Sequence, residues 1–229
     1  MSNLSLKVEP IIALQYFSIE YLVNNSENNE LDCELLKQQD IIPSNWKISN
    51  STQNTKESRL YFTNGISITK KNQSNSIIFS EPLNANICKI PRIIDVAYNY
   101  FLSKSLFNFS AIYVNFQTYV RFEAERNVEK EAIEKYIISK LSPGFSLGSS
   151  LKPYQADLNF FFKKDRASIK FNIQKADLSL PNDQIIPSIS YHGVFFHNIE
   201  LSNKEEIQNL IFSWEKDFNV YMSILKGFL

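Results

Sequence analysis

The sequence predicts an α+β protein in which an antiparallel β-sheet carries three main α-helices packed on one face. Several segments alternate apolar and polar residues, as strands with one buried face require. Three other segments carry apolar stripes with helical spacing. Aromatic residues make up 14% of the 229 residues, and aromatic side chains favour strands. Strands and helices segregated in this way are typical of α+β domains.

The strands follow from alternation and from turn residues. Between two alternating segments, the dipeptide Asn64-Gly65 predicts a hairpin with a type I′ turn, because both positions tolerate a positive φ. Residues 31–39 predict one or two helical turns or an irregular edge. The predicted strands are residues 6–23 and 46–48, the hairpin within 59–82 with its short strand 77–79, and then 111–122, 156–163, 167–177 and 188–200.

The helices follow from apolar stripes and end signals. The first helix spans 91–106, where Pro91 suits the first helical position. The second spans 128–141 after Asn127, a residue type that caps helices. The third begins at Ser202, which forms a capping box with Glu205. The stripe of the first helix is Ile90, Ile93, Ile94, Ala97, Phe101 and Leu102; that of the third is Ile207, Leu210, Ile211, Trp214, Phe218, Tyr221 and Met222.

The order of these elements describes a single domain of residues 1–229. It also allows two related halves, 1–107 and 108–229, in which a segment of sheet is closed by a helix. The chain shows no clear sequence repeat, so the two halves rest on element order alone.

Charge and cysteine content restrict the function classes. The chain has 24 basic and 24 acidic residues, so no strong overall field attracts nucleic acid or a membrane surface. Cys33 and Cys88 are too few for a disulfide framework, which favours a reducing, cytoplasmic setting. No secretory leader and no apolar run long enough for a membrane span are recognised. We therefore expect a cytoplasmic protein without a membrane partner.

No catalytic or cofactor site is recognised. Phosphate-binding glycine loops and nucleophile elbows are absent from the sequence. His192 and His197 are five residues apart, and this odd spacing places them on opposite faces of a strand. Glu123 and Glu125 share a strand face beside Arg121, but no third acid or lysine follows at a recognisable spacing. The sequence predicts no metal and no cofactor, and it favours a non-enzymatic protein.

The strand 111–122 raises the main functional question. Five of its even positions are apolar and are expected in the core: Ile112, Val114, Phe116, Val120 and Phe122. Its odd positions carry residues that protein interfaces favour or tolerate: Tyr113, Asn115, Gln117, Tyr119 and Arg121. These five are the predicted protein-binding residues, and a plain solvated surface is the alternative interpretation.

A basic stretch is the candidate for nucleic-acid binding. Lys163, Lys164 and Arg166 lie at a predicted turn, and Lys170 points away from the apolar side of the following strand. Aromatic neighbours such as Tyr113 and Tyr119 could stack on bases. A charged hairpin turn explains the same cations, and the zero net charge does not favour nucleic acid.

The segment "ALQYFSIEYLVN" resembles the opening strand of the bacterial export chaperone SecB and its SecB-like relatives. Those proteins carry a Ser-aromatic-Glu step, which Ser18, Ile19 and Glu20 match with Ile in the aromatic place. The strand and helix order is also similar to that of a group of uncharacterised bacterial proteins. SecB is shorter and acidic, whereas this chain is longer and neutral. The resemblance implies a chaperone-like or scaffold-like binder and transfers no set of binding residues.

Two function hypotheses result. The first is a non-enzymatic cytoplasmic protein-binding module, chaperone-like or an adaptor, which works as a homo-oligomer or with a protein partner. The alternative is a nucleic-acid-associated or enzymatic component of a bacterial defence or toxin–antitoxin system, using Glu123, Glu125 and the basic turn at 163–175.

Overall fold

The computed structural model describes residues 10–24, 31–83, 90–104, 109–122, 157–179, 185–198, 200 and 203–229, apart from the side chains of Phe122 and Ser179. The strands in this part of the chain are β1 Pro10–Val23, β2 Ile48–Gln53, β3 Glu57–Phe62, β4 Ser67–Lys71, β5 Ser76–Leu83, β6 Phe109–Phe122, β7 Leu158–Lys164, β8 Ala167–Ser179 and β9 Ile185–His197. The helices are α1 Cys33–Gln38, α2 Ile93–Ser103, α3 Lys204–Phe212 and α4 Trp214–Phe228. The chain is therefore an α+β protein that consists mostly of sheet.

All nine strands belong to one antiparallel sheet in the order β2-β3-β4-β5-β1-β6-β9-β8-β7. The two longest strands, β1 and β6, pair at its centre, with Phe17 opposite Phe116. The other neighbour of β1 is β5, the last strand within residues 1–107. The other neighbour of β6 is β9, the last strand within residues 108–229. This order has the symmetry expected of two related halves, which stay a prediction.

One face of the sheet forms the core. Phe17, Ile19 and Tyr21 of β1 are fully buried, as the alternation in this strand predicts. The Tyr21 hydroxyl donates a hydrogen bond of 2.8 Å to the carbonyl oxygen of Ala97 in α2. The rings of Phe17 and Trp214, the first residue of α4, lie 5.3 Å apart between centroids. Aromatic residues of the central strand β1 thus contact both α2 and α4.

The hairpin at Asn64-Gly65 is confirmed, but its predicted turn type is wrong. Gly65 has a φ of 87°, whereas Asn64 has no positive φ, so a type I′ turn is not formed. The Gly65 amide donates to the Phe62 carbonyl at 3.0 Å, and the Phe62 amide donates to the Ile66 carbonyl at 2.9 Å. These bonds close a three-residue loop, a type I turn followed by a left-handed glycine.

The predictions of the first and third helices are confirmed with corrections. In α2 the side chains of Ile93, Ile94, Ala97 and Phe101 are buried, but Ile90 and Leu102 are 66% and 46% exposed, so they do not belong to the core. The predicted long C-terminal helix is interrupted at Ser213.

The start of that helix also differs from the sequence prediction. Ser202 lies outside the described residues, and the N-cap is Asn203, whose Oδ1 accepts a hydrogen bond from the Glu206 amide at 3.1 Å. Glu206, rather than Glu205, reaches back and accepts from the Glu200 amide at 3.2 Å. The Asn203 amide itself donates to the Glu200 carbonyl at 2.9 Å, so Asn203 and Glu206 form an N-cap without the reciprocal bond of a capping box.

Several predictions fall outside the described residues. These are the helix 128–141 with Asn127, the acids Glu123 and Glu125, and Cys88. The arrangement of three helices on one face thus stays a prediction. Among the described residues, no helix combines the length and apolar character that crossing a membrane requires.

Candidate functional site

The predicted core side of β6 is confirmed for four of its five residues, and the side chain of the fifth, Phe122, lies outside the described part. Ile112, Val114, Phe116 and Val120 are each at most 2% exposed. Thr118, which has the same parity, is fully buried and accepts a hydrogen bond of 3.1 Å from Nε2 of Gln15 on β1. The five predicted protein-binding residues must therefore lie on the other side of the sheet, because alternate residues of a strand point to opposite faces.

We call that other side the polar face. The strand register places Tyr113 opposite Glu20, Asn115 opposite Ser18 and Gln117 opposite Tyr16. Asn115 is only 6% exposed, since it lies between β1 and β9 at the middle of the sheet. Tyr113, Gln117, Tyr119 and Arg121 are half-buried. The structure thus brings the five predicted residues together on one surface, with the amide of Asn115 at its base.

The side chains of the polar face are held by their neighbours. The rings of Tyr16 and Tyr119 meet edge to face with centroids 6.4 Å apart. The ring of Tyr113 lies 5.4 Å from that of Phe196 on β9. Nε2 of Gln117 donates a hydrogen bond of 3.0 Å to the Ser190 hydroxyl. A surface with fixed rings loses little side-chain entropy when a partner binds.

Burial shifts the pKa values of several side chains on the polar face. Burial raises the pKa of the Tyr16 hydroxyl, and Tyr61 raises it further. Burial also raises the pKa of Tyr119, with a smaller effect of Tyr16. The pKa of His192 is lowered by burial first and then by the positive charges of Lys170 and Lys71. Near neutral pH these tyrosines are therefore uncharged hydrogen-bonding groups.

The four predicted nucleic-acid-binding residues do not form one patch. Lys163 pairs with Ser168 and Lys170 with Val194, so both lie on the polar face. Lys164 pairs with Ala167 and points to the opposite, helix-bearing side. Arg166 is part of the turn between β7 and β8, as predicted, and its guanidinium contacts Glu206 of α3 at 3.2 Å. Strand alternation therefore divides the basic stretch between two surfaces.

The predicted opposite orientation of the two histidines is confirmed. His192 lies on the polar face beside Gln117 and Asn172. His197 points to the helix side, where its Nε2 lies 2.7 Å from Oδ2 of Asp217 in α4. Both side chains of this pair are largely buried, at 17% and 13% exposure. Asp217 was not among the functional residues predicted from the sequence.

The helical spacing in the sequence did indicate that Asp217 is a buried residue. The buried residues of α4 are Trp214, Asp217, Tyr221 and Leu225. The carboxylate thus occupies a core position of an otherwise apolar stripe. A buried carboxylate needs a charged or hydrogen-bonding partner. The only two histidines of the chain were the obvious residues to consider.

The His197–Asp217 pair lines a cavity of about 810 Å³ between the β7–β8 turn, β9 and α4. We call it the basic cavity, because the cations Lys164, Arg166 and Lys216 line it. The other lining residues are Asp165, Ala167, Ile169, Phe195, Ser213, Asn219, Val220, Ser223 and Ile224. A smaller cavity of about 420 Å³ shares Arg166, His197, Ser213 and Lys216 with it. Among the described residues, no cluster of histidine, cysteine and acidic side chains is suited to a metal ion.

Protein-family models, curated proteins and solved structures gave no match to this chain. The polar face and the basic cavity are therefore the observations on which a function can be argued. They lie on opposite sides of the same sheet, so each can be tested without altering the other.

Proposed function

We propose that this chain is a non-enzymatic protein-binding module of the cytoplasm, chaperone-like or an adaptor, which acts as a homo-oligomer or with a protein partner. The observation that carries the proposal is the set of half-buried tyrosines on the polar face. The SecB-like opening strand agrees with a chaperone-like role. We also propose that three helices, including one formed by residues 128–141, pack on the helix side of the sheet, opposite the polar face.

The chemistry of the polar face suits a protein partner. Tyrosine combines a large apolar ring with a hydroxyl, and it is enriched among residues that dominate interface energies. Tyr113 and Tyr119 are fixed by ring contacts but keep part of their surface accessible. Arg121 extends this surface at one end. A neutral segment with apolar and amide side chains is the kind of partner that these groups recognise.

The test is the double substitution Tyr113→Ser and Tyr119→Ser. Size-exclusion chromatography with light scattering would give the mass of the parent and of the variant, and co-purified chains would be identified. We expect the parent to be an oligomer or to retain a partner, and the variant to lose that association. Because both rings lie outside the core, the urea midpoint should change little.

A matched control is Tyr98→Ser in α2, on the helix side of the sheet. Tyr98 is half-buried and contacts Phe212 at 5.6 Å, so it resembles the two tested tyrosines in exposure. This variant should keep the association. A strictly monomeric parent without a partner would overturn the proposal, as would a double variant that associates like the parent.

Nucleic acid is the alternative partner, because Lys163 and Lys170 share the polar face with Tyr113 and Tyr119. The pair Lys163→Gln and Lys170→Gln should then release RNA or DNA at low salt. The pair Lys164→Gln and Arg166→Gln removes the same charge from the opposite side and should have a smaller effect. Absence of retention by the parent at low salt would exclude this alternative.

A further inference from the structure

We propose that the basic cavity is a second binding site, which takes a small anion, a phosphate or carboxylate group carried on an apolar body. The site lies on the helix side of the sheet and does not depend on the function proposed for the polar face. Cations at its rim, a histidine held by a buried acid and an apolar wall support the proposal.

The cations at the rim supply the charge. Lys164 and Lys216 approach the cavity from β7 and from α4, and neither forms an ion pair with an acid among the described residues. Arg166 is 80% exposed and is oriented by Glu206, which also accepts the Glu200 amide. Two ammonium groups from different elements can contact one anion from two sides. A shared anion would offset the repulsion between them.

His197 provides a hydrogen-bonding ring of fixed orientation in the wall of the cavity. The Asp217 carboxylate is bound to Nε2 of His197, which fixes the plane of the imidazole ring. Asp217 is only 9% exposed, so its carboxylate group depends on His197 rather than on water as its hydrogen-bond partner. Because this contact uses Nε2, the other ring nitrogen, Nδ1, is the one left to meet a ligand in the cavity.

The apolar wall explains why a bare ion is not the best fit. Ile169 and Phe195 of the sheet are almost fully buried beneath the cavity, and Val220 and Ile224 of α4 line its other side. Ligand sites are commonly mostly apolar with a few polar groups that fix orientation. The volume of about 810 Å³ exceeds that of a phosphate ion and can hold an aryl or alkyl group as well.

The experiment measures binding of phenyl phosphate and of inorganic phosphate to the full chain by isothermal titration calorimetry at fixed ionic strength. The parent should bind phenyl phosphate more tightly than inorganic phosphate. The double variant Lys164→Gln and Lys216→Gln should bind phenyl phosphate about tenfold or more weakly, because each charge-assisted hydrogen bond contributes substantially to affinity. His197→Gln should weaken the binding of both ligands.

Matched controls remove equivalent side chains that do not line the cavity. Lys163 is adjacent to Lys164 but faces the other side of the sheet, and Lys204 in α3 lines neither cavity. Lys163→Gln and Lys204→Gln therefore remove the same total charge and should leave affinity nearly unchanged. His192→Gln, on the polar face, is the control for His197→Gln.

A cavity-filling variant separates the two parts of the ligand. Ser223 is exposed and lines the cavity, so Ser223→Phe should block the apolar body without disturbing the core. This variant should lose affinity for phenyl phosphate and keep it for inorganic phosphate. Undetectable phenyl phosphate binding by the parent would overturn the proposal. Equal losses in the cavity variants and in their controls would overturn it too.

Discussion

Gly193 allows a quantitative test of how the core packs against the sheet. It lies on β9 between Phe116 of β6 and Phe171 of β8, and the ring of Tyr221 rests against it. A Cβ at this position would lie 2.6 Å from Cδ2 of Tyr221. Carbon atoms in favourable contact are about 3.5–4.0 Å apart. In Gly193→Ala the tyrosine ring would therefore have to move by about 1 Å.

The ring has little freedom to make that movement. Tyr221 is 1% exposed, and its hydroxyl donates to the Tyr191 carbonyl at 2.9 Å. Its ring stacks on Phe116 with centroids 5.4 Å apart. Overpacking of this kind lowers the free energy of unfolding by about 1–3 kcal/mol. Replacing glycine by alanine also reduces the entropy of the unfolded chain, which raises the free energy of unfolding by about 0.4–1 kcal/mol. We expect a net loss of about 1–2 kcal/mol in the free energy of unfolding.

Urea unfolding followed by Trp214 fluorescence would measure this loss, since that indole is buried in the core. The matched control is Gly227→Ala in α4, where an added Cβ meets nothing within 4 Å. The control should be unchanged or slightly stabilised, because alanine favours helix more than glycine does. In a Tyr221→Leu background the cost of Gly193→Ala should largely disappear. An equal cost in both backgrounds would refute the packing argument.

Two further predictions concern ionisable groups. The pKa of His192 lies below its unfolded value of 6.5, so the unfolded chain binds a proton first as the pH falls. Stability should therefore decrease below about pH 6.5, and less so in His192→Gln; equal urea profiles would contradict this. Glu81 accepts hydrogen bonds from Arg92 at 3.0 Å and from the Ile93 amide at 3.1 Å. Glu81→Gln should therefore lower the free energy of unfolding, measured in urea, by about 1–3 kcal/mol. The control Glu34→Gln, at an exposed residue, should lower it little.

The features that strand alternation determines could be predicted from the sequence. The core residues of β6 and the opposite orientation of His192 and His197 both follow from the period of two. These predictions hold because an exchange of faces would expose every apolar residue of a strand at once.

The features that depend on neighbouring elements could not be predicted. Apolar spacing continues across Ser213, so the sequence gives no sign that the helix is interrupted there. Ser202 and Asn203 are both good N-caps, and the chain path decides between them. The burial of Asn115 and the pairing of His197 with Asp217 require the arrangement of distant segments. For the same reason, the basic cavity does not appear as a sequence motif.

The pairing of β1 with β6 also affects the order of events during synthesis. The side-chain bond between Gln15 and Thr118 joins residues 103 positions apart. At about 5–20 residues per second, a ribosome needs roughly 5–20 s to add that length of chain. For that time the nascent β1 lacks its central neighbour β6, and at least half of its backbone hydrogen-bonding groups have no strand to pair with. A chain built in this way has to protect its own longest early strand until the second half emerges.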